Sequence, residues 1–233
     1  MSIDTKFKTL SSNYNTVQRI DDTVAKHFML KDRMLIEIEF LEKFKNYFNV
    51  PEIKRIDYET NTIFFEYIEG TPLSVKSALD NISANELYKF VERVPFEKGK
   101  TRNEALLILF PPNFIEGYLT HGDFRTANII LSENGKLYLI DFENGNYLFR
   151  EFDKAYLFLS LYWEDKSKAT EFLDIVRSNN QYNEKFLYAE LYFINAVLLN
   201  PKIEQQTKFK WIKLEGELLK ELKNIKEQHP ENK

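Results

Sequence analysis

Residues 121–145 read HGDFRTANIILSENGKLYLIDFENG, and the rest of the chain is organised around this stretch. Asn134-Gly135 separates two apolar runs, residues 129–131 and 137–140. Asn-Gly between apolar runs is a strong β-hairpin signal, because a type I′ turn needs positive φ at both of its central residues. The pattern therefore predicts a hairpin with a two-residue loop at 134 and 135.

The open end of this hairpin predicts a metal site. A two-residue loop places Glu133 opposite Lys136, and the same register places Asn128 opposite Asp141. Directly opposed residues of an antiparallel pair point to the same face, with Cβ atoms about 4.5–5.5 Å apart. An amide oxygen beside a carboxylate suits Mg²⁺, which prefers hard oxygen ligands. Asn128 and Asp141 are therefore the predicted metal ligands.

A second carboxylate, Asp123, lies five residues before Asn128, in the loop that leads into the first strand of the hairpin. It is offset from the metal pair and is therefore free to orient a hydroxyl group. Phosphoryl transfer requires such positioning and charge neutralisation more than it requires covalent chemistry. For any single residue of this set, the alternative is an ordinary hairpin with exposed polar ends.

Three segments of this stretch resemble the core of the protein-kinase-like superfamily: His121-Gly122-Asp123, Asn128 and Ile140-Asp141-Phe142-Glu143. Protein kinases have H-R-D-x-x-x-x-N and D-F-G at these places. The forms found here are more similar to the aminoglycoside phosphotransferase and choline kinase type, which acts on small molecules. The resemblance implies that Asp123 is the catalytic base, that Asn128 and Asp141 hold Mg²⁺, and that Arg125 meets the γ-phosphate. It also implies that His121 supports the loop rather than reacts.

The fold that this resemblance implies is α+β and bilobal, with a small β-rich N-lobe and a larger, mainly helical C-lobe. Three short strands are predicted at 7–10, 16–20 and 23–28. In kinases the loop between the first two strands covers the phosphates and is rich in glycine. No glycine precedes Gly70 here, so Ser11, Ser12 and Asn15 are the residues expected to take this role.

Lys26 is the predicted phosphate-binding lysine. Val24-Ala25-Lys26 resembles the V-A-I-K strand of kinases with one residue fewer. By that resemblance Lys26 binds the α- and β-phosphates of ATP, and Val24 covers the adenine.

A helix predicted over residues 33–48 supplies the partner of this lysine. Its apolar stripe consists of Met34, Leu41, Phe44 and Phe48. At about 100° per residue, Glu37 falls on the same stripe. A carboxylate in an apolar setting is costly unless it is paired, so Lys26 is its expected partner. Kinases use such a Lys–Glu ion pair to position the lysine.

Residues 65–70, FEYIEG, resemble a kinase hinge. By that analogy the backbone of Glu66 and Ile68 binds adenine, and Phe65 is the gatekeeper. A plain strand that ends in a turn is the alternative. The predicted organisation is an N-lobe over 1–65, a hinge over 66–71, and a C-lobe over 72–233 that contains the catalytic loop 121–128 and the metal-binding hairpin 128–143.

Composition restricts the other function classes. The 233-residue chain has a formal net charge of −4 with Lys and Glu interspersed, so nucleic acid is not an expected partner. It has no cysteine, which excludes disulfides, thiol nucleophiles and Cys-based zinc sites. There is no apolar run of about 18 residues and no signal-peptide pattern, so we expect a cytoplasmic protein without a membrane span.

The last helix, predicted over residues 205–228, has its own apolar stripe, which we expect to pack on the large lobe or to form a partner surface. The members of this stripe are Phe209, Ile212, Leu219 and Leu222.

The sequence thus predicts an ATP- and Mg²⁺-dependent phosphotransferase whose acceptor is a hydroxyl of a small molecule: an amino sugar or aminoglycoside, a choline-like alcohol or a polysaccharide sugar. Asp153 follows Asp141 after only twelve residues, which leaves no space for the activation segment of a protein kinase. A compact protein kinase and a non-catalytic nucleotide-binding pseudokinase are the two alternatives. The missing glycines favour the pseudokinase, whereas the complete set of five polar site residues argues against it.

Overall fold

The computed structural model describes residues 8–10, 15–102, 117–199 and 203–228. These residues form two compact units. The first unit comprises the described residues of Met1–Asn81, Arg93–Pro95 and His121–Gly145, and the second comprises those of Ile82–Glu92, Phe96–Thr120 and Asn146–Lys233. Every predicted site residue that the structure describes lies in the first unit.

The first unit contains a five-stranded antiparallel sheet. Its strands are β1 (Lys8–Leu10), β2 (Thr16–Ile20), β3 (Thr23–His27), β4 (Ile53–Asp57) and β5 (Thr62–Glu66). Their spatial order is β1-β2-β3-β5-β4, so β3 is the central strand. The first three strands agree with the sequence prediction to within one residue at each end.

Helix α1 (Lys31–Phe44) connects β3 to β4. It buries Met34, Glu37, Phe40, Leu41 and Phe44. These positions recur every three or four residues, as expected for a helix that packs one face on a core. The helix starts two residues earlier and ends four residues earlier than the sequence predicts, and Phe48 is buried just beyond its end.

The hairpin that holds the site motifs belongs to a second sheet of the first unit. The remaining strands of the described chain are β6 (Gly70–Pro72), β7 (Tyr118–Thr120), β8 (Ile129–Ser132), β9 (Leu137–Leu139) and β10 (Asn146–Leu148). β8 and β9 form the predicted hairpin, and β6 pairs with the other edge of β8.

The predicted register of this hairpin is wrong by one residue. Ile129 pairs with Leu139, and the N–H of Ile140 donates to the carbonyl of Asn128 at 3.0 Å, so Asn128 lies opposite Ile140 rather than Asp141. The loop has three residues, and of these only Gly135 has a positive φ, of 77°. This is the three-residue hairpin loop with a left-handed glycine, which the Asn-Gly signal also allows.

The second unit is mainly helical. After the short helix α2 (Lys76–Leu79) of the first unit, the described helices are α3 (Ala84–Val91), α4 (Phe152–Glu164), α5 (Lys166–Ser178), α6 (Glu184–Leu199) and α7 (Gln205–Gln228). The strands β7 and β10 pair antiparallel within the same unit. Among the helices that the structure describes, none combines the length and the apolarity that crossing a membrane requires.

Helix α7 packs through a different stripe from the one that the sequence predicts. Among residues 205–224 of this helix, the buried ones are Trp211, Leu214, Leu218 and Leu222. Three members of the predicted stripe are instead half or more exposed: Phe209 at 74 %, Ile212 at 52 % and Leu219 at 51 %. The helix has apolar residues on two faces, and periodicity alone does not say which face meets the core.

Candidate active site

Lys26 lies at the centre of a buried cluster of charges. Its Nζ atom is 2.9 Å from Glu37 Oε2 and 3.2 Å from Glu143 Oε2, and it also contacts Asp141 Oδ1. Only 7 % of Lys26 and 2 % of Glu37 are exposed to solvent. The ion pair between Lys26 and Glu37 that the helix stripe predicts is therefore present.

The ionisable groups of this cluster shift one another's pKa values. Burial by itself would lower the pKa of Lys26, but Glu37, Asp141 and Glu143 outweigh it and raise the pKa above its usual range. Burial raises the pKa of Glu37 to about 7, although Lys26 acts in the opposite direction. Burial also opposes ionisation of Asp141, but the Lys26 ammonium holds the pKa of that carboxyl below its usual value. Lys26 is thus a permanent positive charge among carboxylates.

Glu143 is a member of this cluster to which the sequence analysis assigned no role. Its Oε2 atom accepts a hydrogen bond from Asn15 Nδ2, and Asn15 belongs to the loop that is predicted to cover the phosphates. Arg33 of α1 holds the same segment, since its Nη1 atom donates to the carbonyl of Glu143 at 3.0 Å and to Asn144 Oδ1 at 2.7 Å. The available sequence signal was a second carboxylate two residues after Asp141.

The three carboxylates that surround the Lys26 ammonium also offer oxygen atoms of the kind that bind a hard divalent cation. One carboxylate oxygen from each of Glu37, Asp141 and Glu143 lies within 4.8 Å of the others. Carboxylate oxygens are the ligands that Mg²⁺ prefers in proteins. The structure joins the other predicted ligand, Asn128, to Asp123 through its amide nitrogen, so the amide oxygen is the atom of Asn128 suited to a metal.

The catalytic loop presents Asp123 in a fixed orientation. Asn128 Nδ2 donates to the carbonyl and to Oδ2 of Asp123, each at 2.9 Å. Arg125 Nη2 lies 3.2 Å from the same Oδ2 atom. Asp123 is only 6 % exposed, so these contacts hold its carboxylate in a largely buried position. Asp123, Arg125 and Asn128 are therefore one connected group.

His121 is hydrogen-bonded both to the catalytic loop and to the residue before Asp141. Its Nδ1 atom accepts a hydrogen bond from the N–H of Asp123 at 3.3 Å, so Nε2 carries the proton and donates to the carbonyl of Ile140 at 3.1 Å. Burial lowers the pKa of His121 to about 4, and the imidazole is therefore neutral near pH 7. The ring packs against three aromatic rings, those of Phe44, Phe124 and Phe142.

Two of the residues predicted to surround the base, Val24 and Phe65, share one face of the five-stranded sheet with Lys26. Val24 pairs directly with Phe65 across β3 and β5, and Lys26 follows two residues after Val24 on the same face. Glu66 is exposed and its N–H donates to the carbonyl of Glu52 at 2.8 Å, while Ile68 is buried. Adenine binding by Val24, Phe65, Glu66 and Ile68 stays a prediction. Ser11 and Ser12, which are predicted to cover the phosphates, lie outside the described residues.

Solved structures of small-molecule kinases share this fold. An aminoglycoside 2′-phosphotransferase in its GDP complex superposes with a TM-score of 0.61 at 15 % identity, over 96 % of this chain and 93 % of the other. The choline kinase LicA from Streptococcus pneumoniae gives 0.57 at 19 % identity, over 93 % and 94 %. An aminoglycoside phosphotransferase from Streptomyces rimosus with ADP and streptomycin gives 0.59 at 14 % identity, over 80 % and 92 %.

At these identities the likeness establishes the fold, which is the α+β, bilobal protein-kinase-like fold that the sequence predicts. The sequence model of the ABC1 atypical kinase-like domain matches residues 36–173. This is more than half of the chain, and the chain therefore belongs to the ABC1 atypical kinase-like family. No curated protein matches the sequence significantly.

Proposed function

We propose that this protein is an ATP- and Mg²⁺-dependent phosphotransferase that moves the γ-phosphate to a hydroxyl group of a small molecule. The observation that carries the proposal is the Lys26 cluster, in which a buried ammonium is held by Glu37 and faces Asp141. A lysine that is buried, charged and held by a glutamate is suited to bind the α- and β-phosphates of ATP. The nucleotides in the related structures, GDP and ADP, support this assignment.

The catalytic loop supplies the proton acceptor. The acceptor hydroxyl oxygen forms a bond to the γ-phosphorus, the bond from that phosphorus to the β–γ bridging oxygen breaks, and the hydroxyl proton passes to the Asp123 carboxylate. Arg125, 3.2 Å from Asp123, is the cation placed to meet the charge of the transferred phosphoryl group. Asp141 and Asn128 would hold Mg²⁺, which would neutralise part of the phosphate charge.

The proposed acceptors are amino sugars such as aminoglycosides and choline-like alcohols, which are the classes named for the structural relatives, or polysaccharide sugars. Streptomycin is bound by the Streptomyces rimosus relative, and LicA is a choline kinase. A non-catalytic nucleotide-binding role is the second candidate, because Lys26 is shared among three carboxylates and the loop at Asn15 has no glycine.

Phosphate transfer with the Asp123→Asn variant tests the proposal. Transfer of radiolabelled γ-phosphate from ATP to a panel of aminoglycosides, choline and free sugars would be measured, with general protein substrates alongside. General-base assistance is typically worth about 10²–10⁴-fold in rate, and we expect a turnover loss of that size with ATP affinity retained. Asp32→Asn, at an exposed position of α1, is the matched control.

Full activity of the Asp123→Asn variant would contradict the assignment of the base. Transfer to protein alone would favour a compact protein kinase. ATP binding without transfer to any acceptor would favour the non-catalytic role.

A further inference from the structure

The sheet face that carries Lys26 also carries an arginine beside Val24 and a tyrosine beyond Phe65. Arg19 of β2 pairs directly with Val24, so it lies on the same face as Val24 and Lys26. The N–H of Tyr67 donates to the carbonyl of Asp22 at 2.9 Å, which extends the pairing of β3 with β5 by one residue beyond Glu66. Tyr67 therefore lies on this face too, two residues beyond Phe65.

Arg19 and Tyr67 form a stacked pair. The guanidinium carbon of Arg19 lies 3.5 Å from the centroid of the Tyr67 ring. Arg19 Nε also donates to the carbonyl of Asp21 at 3.0 Å, which fixes the plane of the guanidinium. Both side chains are half-buried, so each keeps part of its surface exposed to solvent.

The spacing along this face suits a nucleoside triphosphate. Successive residues on one face of a strand are about 6.7 Å apart. From Lys26 through the Val24–Phe65 pair to the row of Tyr67 is two such steps, or about 13 Å. With the phosphates at Lys26, a nucleotide laid along this face would bring its base to Val24 and to Arg19, which pairs directly with Val24.

We propose that the Arg19–Tyr67 pair recognises the base of a purine nucleoside triphosphate, with the Arg19 guanidinium between the Tyr67 ring and the purine. The guanidinium is planar and delocalised, so it can stack on one aromatic system with each of its two faces. Cation–π contacts of arginine contribute to stacking on nucleobases. The Tyr67 ring and the Asp21 carbonyl already order this side chain, so little further ordering is required when the base binds. This inference rests on the proposed function, because it needs the phosphates at Lys26.

The same sheet contains a matched control on its other face. Arg55 of β4 stacks on Phe64 of β5, with its guanidinium carbon 3.8 Å from the ring centroid. Phe64 pairs with Ala25, whose neighbours Val24 and Lys26 point to the opposite face. Removal of Arg55 therefore deletes the same kind of contact at a place that the nucleotide does not reach.

The test compares two ligands that differ in the base. Binding of ATP and of inorganic tripolyphosphate, each with Mg²⁺, would be titrated by calorimetry with the full chain. We expect Arg19→Met to weaken ATP binding about tenfold while tripolyphosphate binding is unchanged. Arg19→Lys keeps the positive charge but lacks the planar guanidinium. It should therefore also weaken the binding of ATP and leave the binding of tripolyphosphate unchanged. Arg55→Met should bind both ligands as the wild type does.

The outcomes separate this inference from the proposed function. An unchanged ratio of ATP to tripolyphosphate affinity in both Arg19 variants would overturn the role of the pair, whether the two affinities stay the same or fall together. A wild type that binds neither ligand would overturn the proposed function and this inference with it. Thermal unfolding of each variant shows that the protein titrated is folded.

Discussion

Two buried ionisable side chains of this protein have very different surroundings. Lys26 is compensated by three carboxylates. Glu190 of α6 is fully buried, and within the described part of the chain neither of its carboxyl oxygens has a hydrogen-bond partner. Burial raises the pKa of Glu190 well above its usual value, and Glu221 adds to the shift while Arg177 opposes it. Glu190 therefore keeps its proton in the folded protein at a pH where the unfolded chain has released it.

This difference in proton binding predicts how stability depends on pH. Because the folded state binds the extra proton, the free energy of unfolding falls as the pH rises above 4.5, the ordinary pKa of a glutamate, until the raised pKa is reached. Glu190→Gln resembles the protonated form and removes this term. We therefore expect the variant to gain stability over the wild type with rising pH, by up to about 1.4 kcal/mol per pH unit.

Urea unfolding of both proteins at several pH values between about 5 and 8 measures the effect. Glu217→Gln, at an exposed position of α7, is the control and should show no such trend. A constant difference between Glu190→Gln and the wild type across this range would contradict the assignment.

At the scale of elements, the catalytic loop is held by a close approach of two backbone segments. Gly122 has a φ of 78°, and a Cβ atom at this position would lie 2.1 Å from the carbonyl oxygen of Asn144. Gly135 of the β8–β9 loop has nearly the same φ of 77°, but a Cβ atom there would meet nothing within 4 Å. The two glycines thus share a backbone conformation and differ in their surroundings.

This contrast predicts different effects for the same substitution. Gly135→Ala should lower the free energy of unfolding by about 1–2 kcal/mol, the cost of a left-handed non-glycine residue, and leave phosphate transfer unchanged. Gly122→Ala carries the same cost and in addition displaces the segment before Asp123, so it should be less stable and should also lose transfer activity. Denaturant unfolding and the transfer assay measure the two effects, and equal results for the two variants would count against this account of the loop.

The contacts of an element were predictable where the local sequence pattern allowed only one arrangement. The Lys26–Glu37 pair followed from a carboxylate on an apolar stripe, and the structure contains it. The β8–β9 register did not follow, because Asn-Gly allows both a two-residue and a three-residue loop. The packing face of α7 did not follow either, because Phe209 and Trp211 begin competing apolar stripes and only the tertiary structure selects between them.

At the scale of the whole molecule, the sequence predicted the fold class because the catalytic motifs lie within 25 consecutive residues. The sequence did not predict contacts between segments that are far apart along the chain. The hydrogen bond from Asn15 to Glu143 joins residues 128 positions apart, and no local pattern encodes that approach. The boundaries of the N-lobe, hinge and C-lobe stay predictions, although the polar site residues from 15 to 143 lie in one compact unit.

In the proposed function, Lys26 and Asp141 form a nucleotide site that depends on Mg²⁺. The most direct measurement is the thermal unfolding of the wild type and of Asp141→Asn with ATP, in the presence and absence of Mg²⁺. Asparagine removes the charge and tolerates the φ of 70° at this position. Asp174→Asn, at an exposed position of α5, is the control.

A ligand at 100 times its Kd stabilises the folded state by about 2.7 kcal/mol. We predict a stabilisation of this order by ATP that requires Mg²⁺ in the wild type and in Asp174→Asn, and that is lost in Asp141→Asn. No shift of the wild type at millimolar ATP with Mg²⁺, or the same shift in Asp141→Asn, would contradict the account.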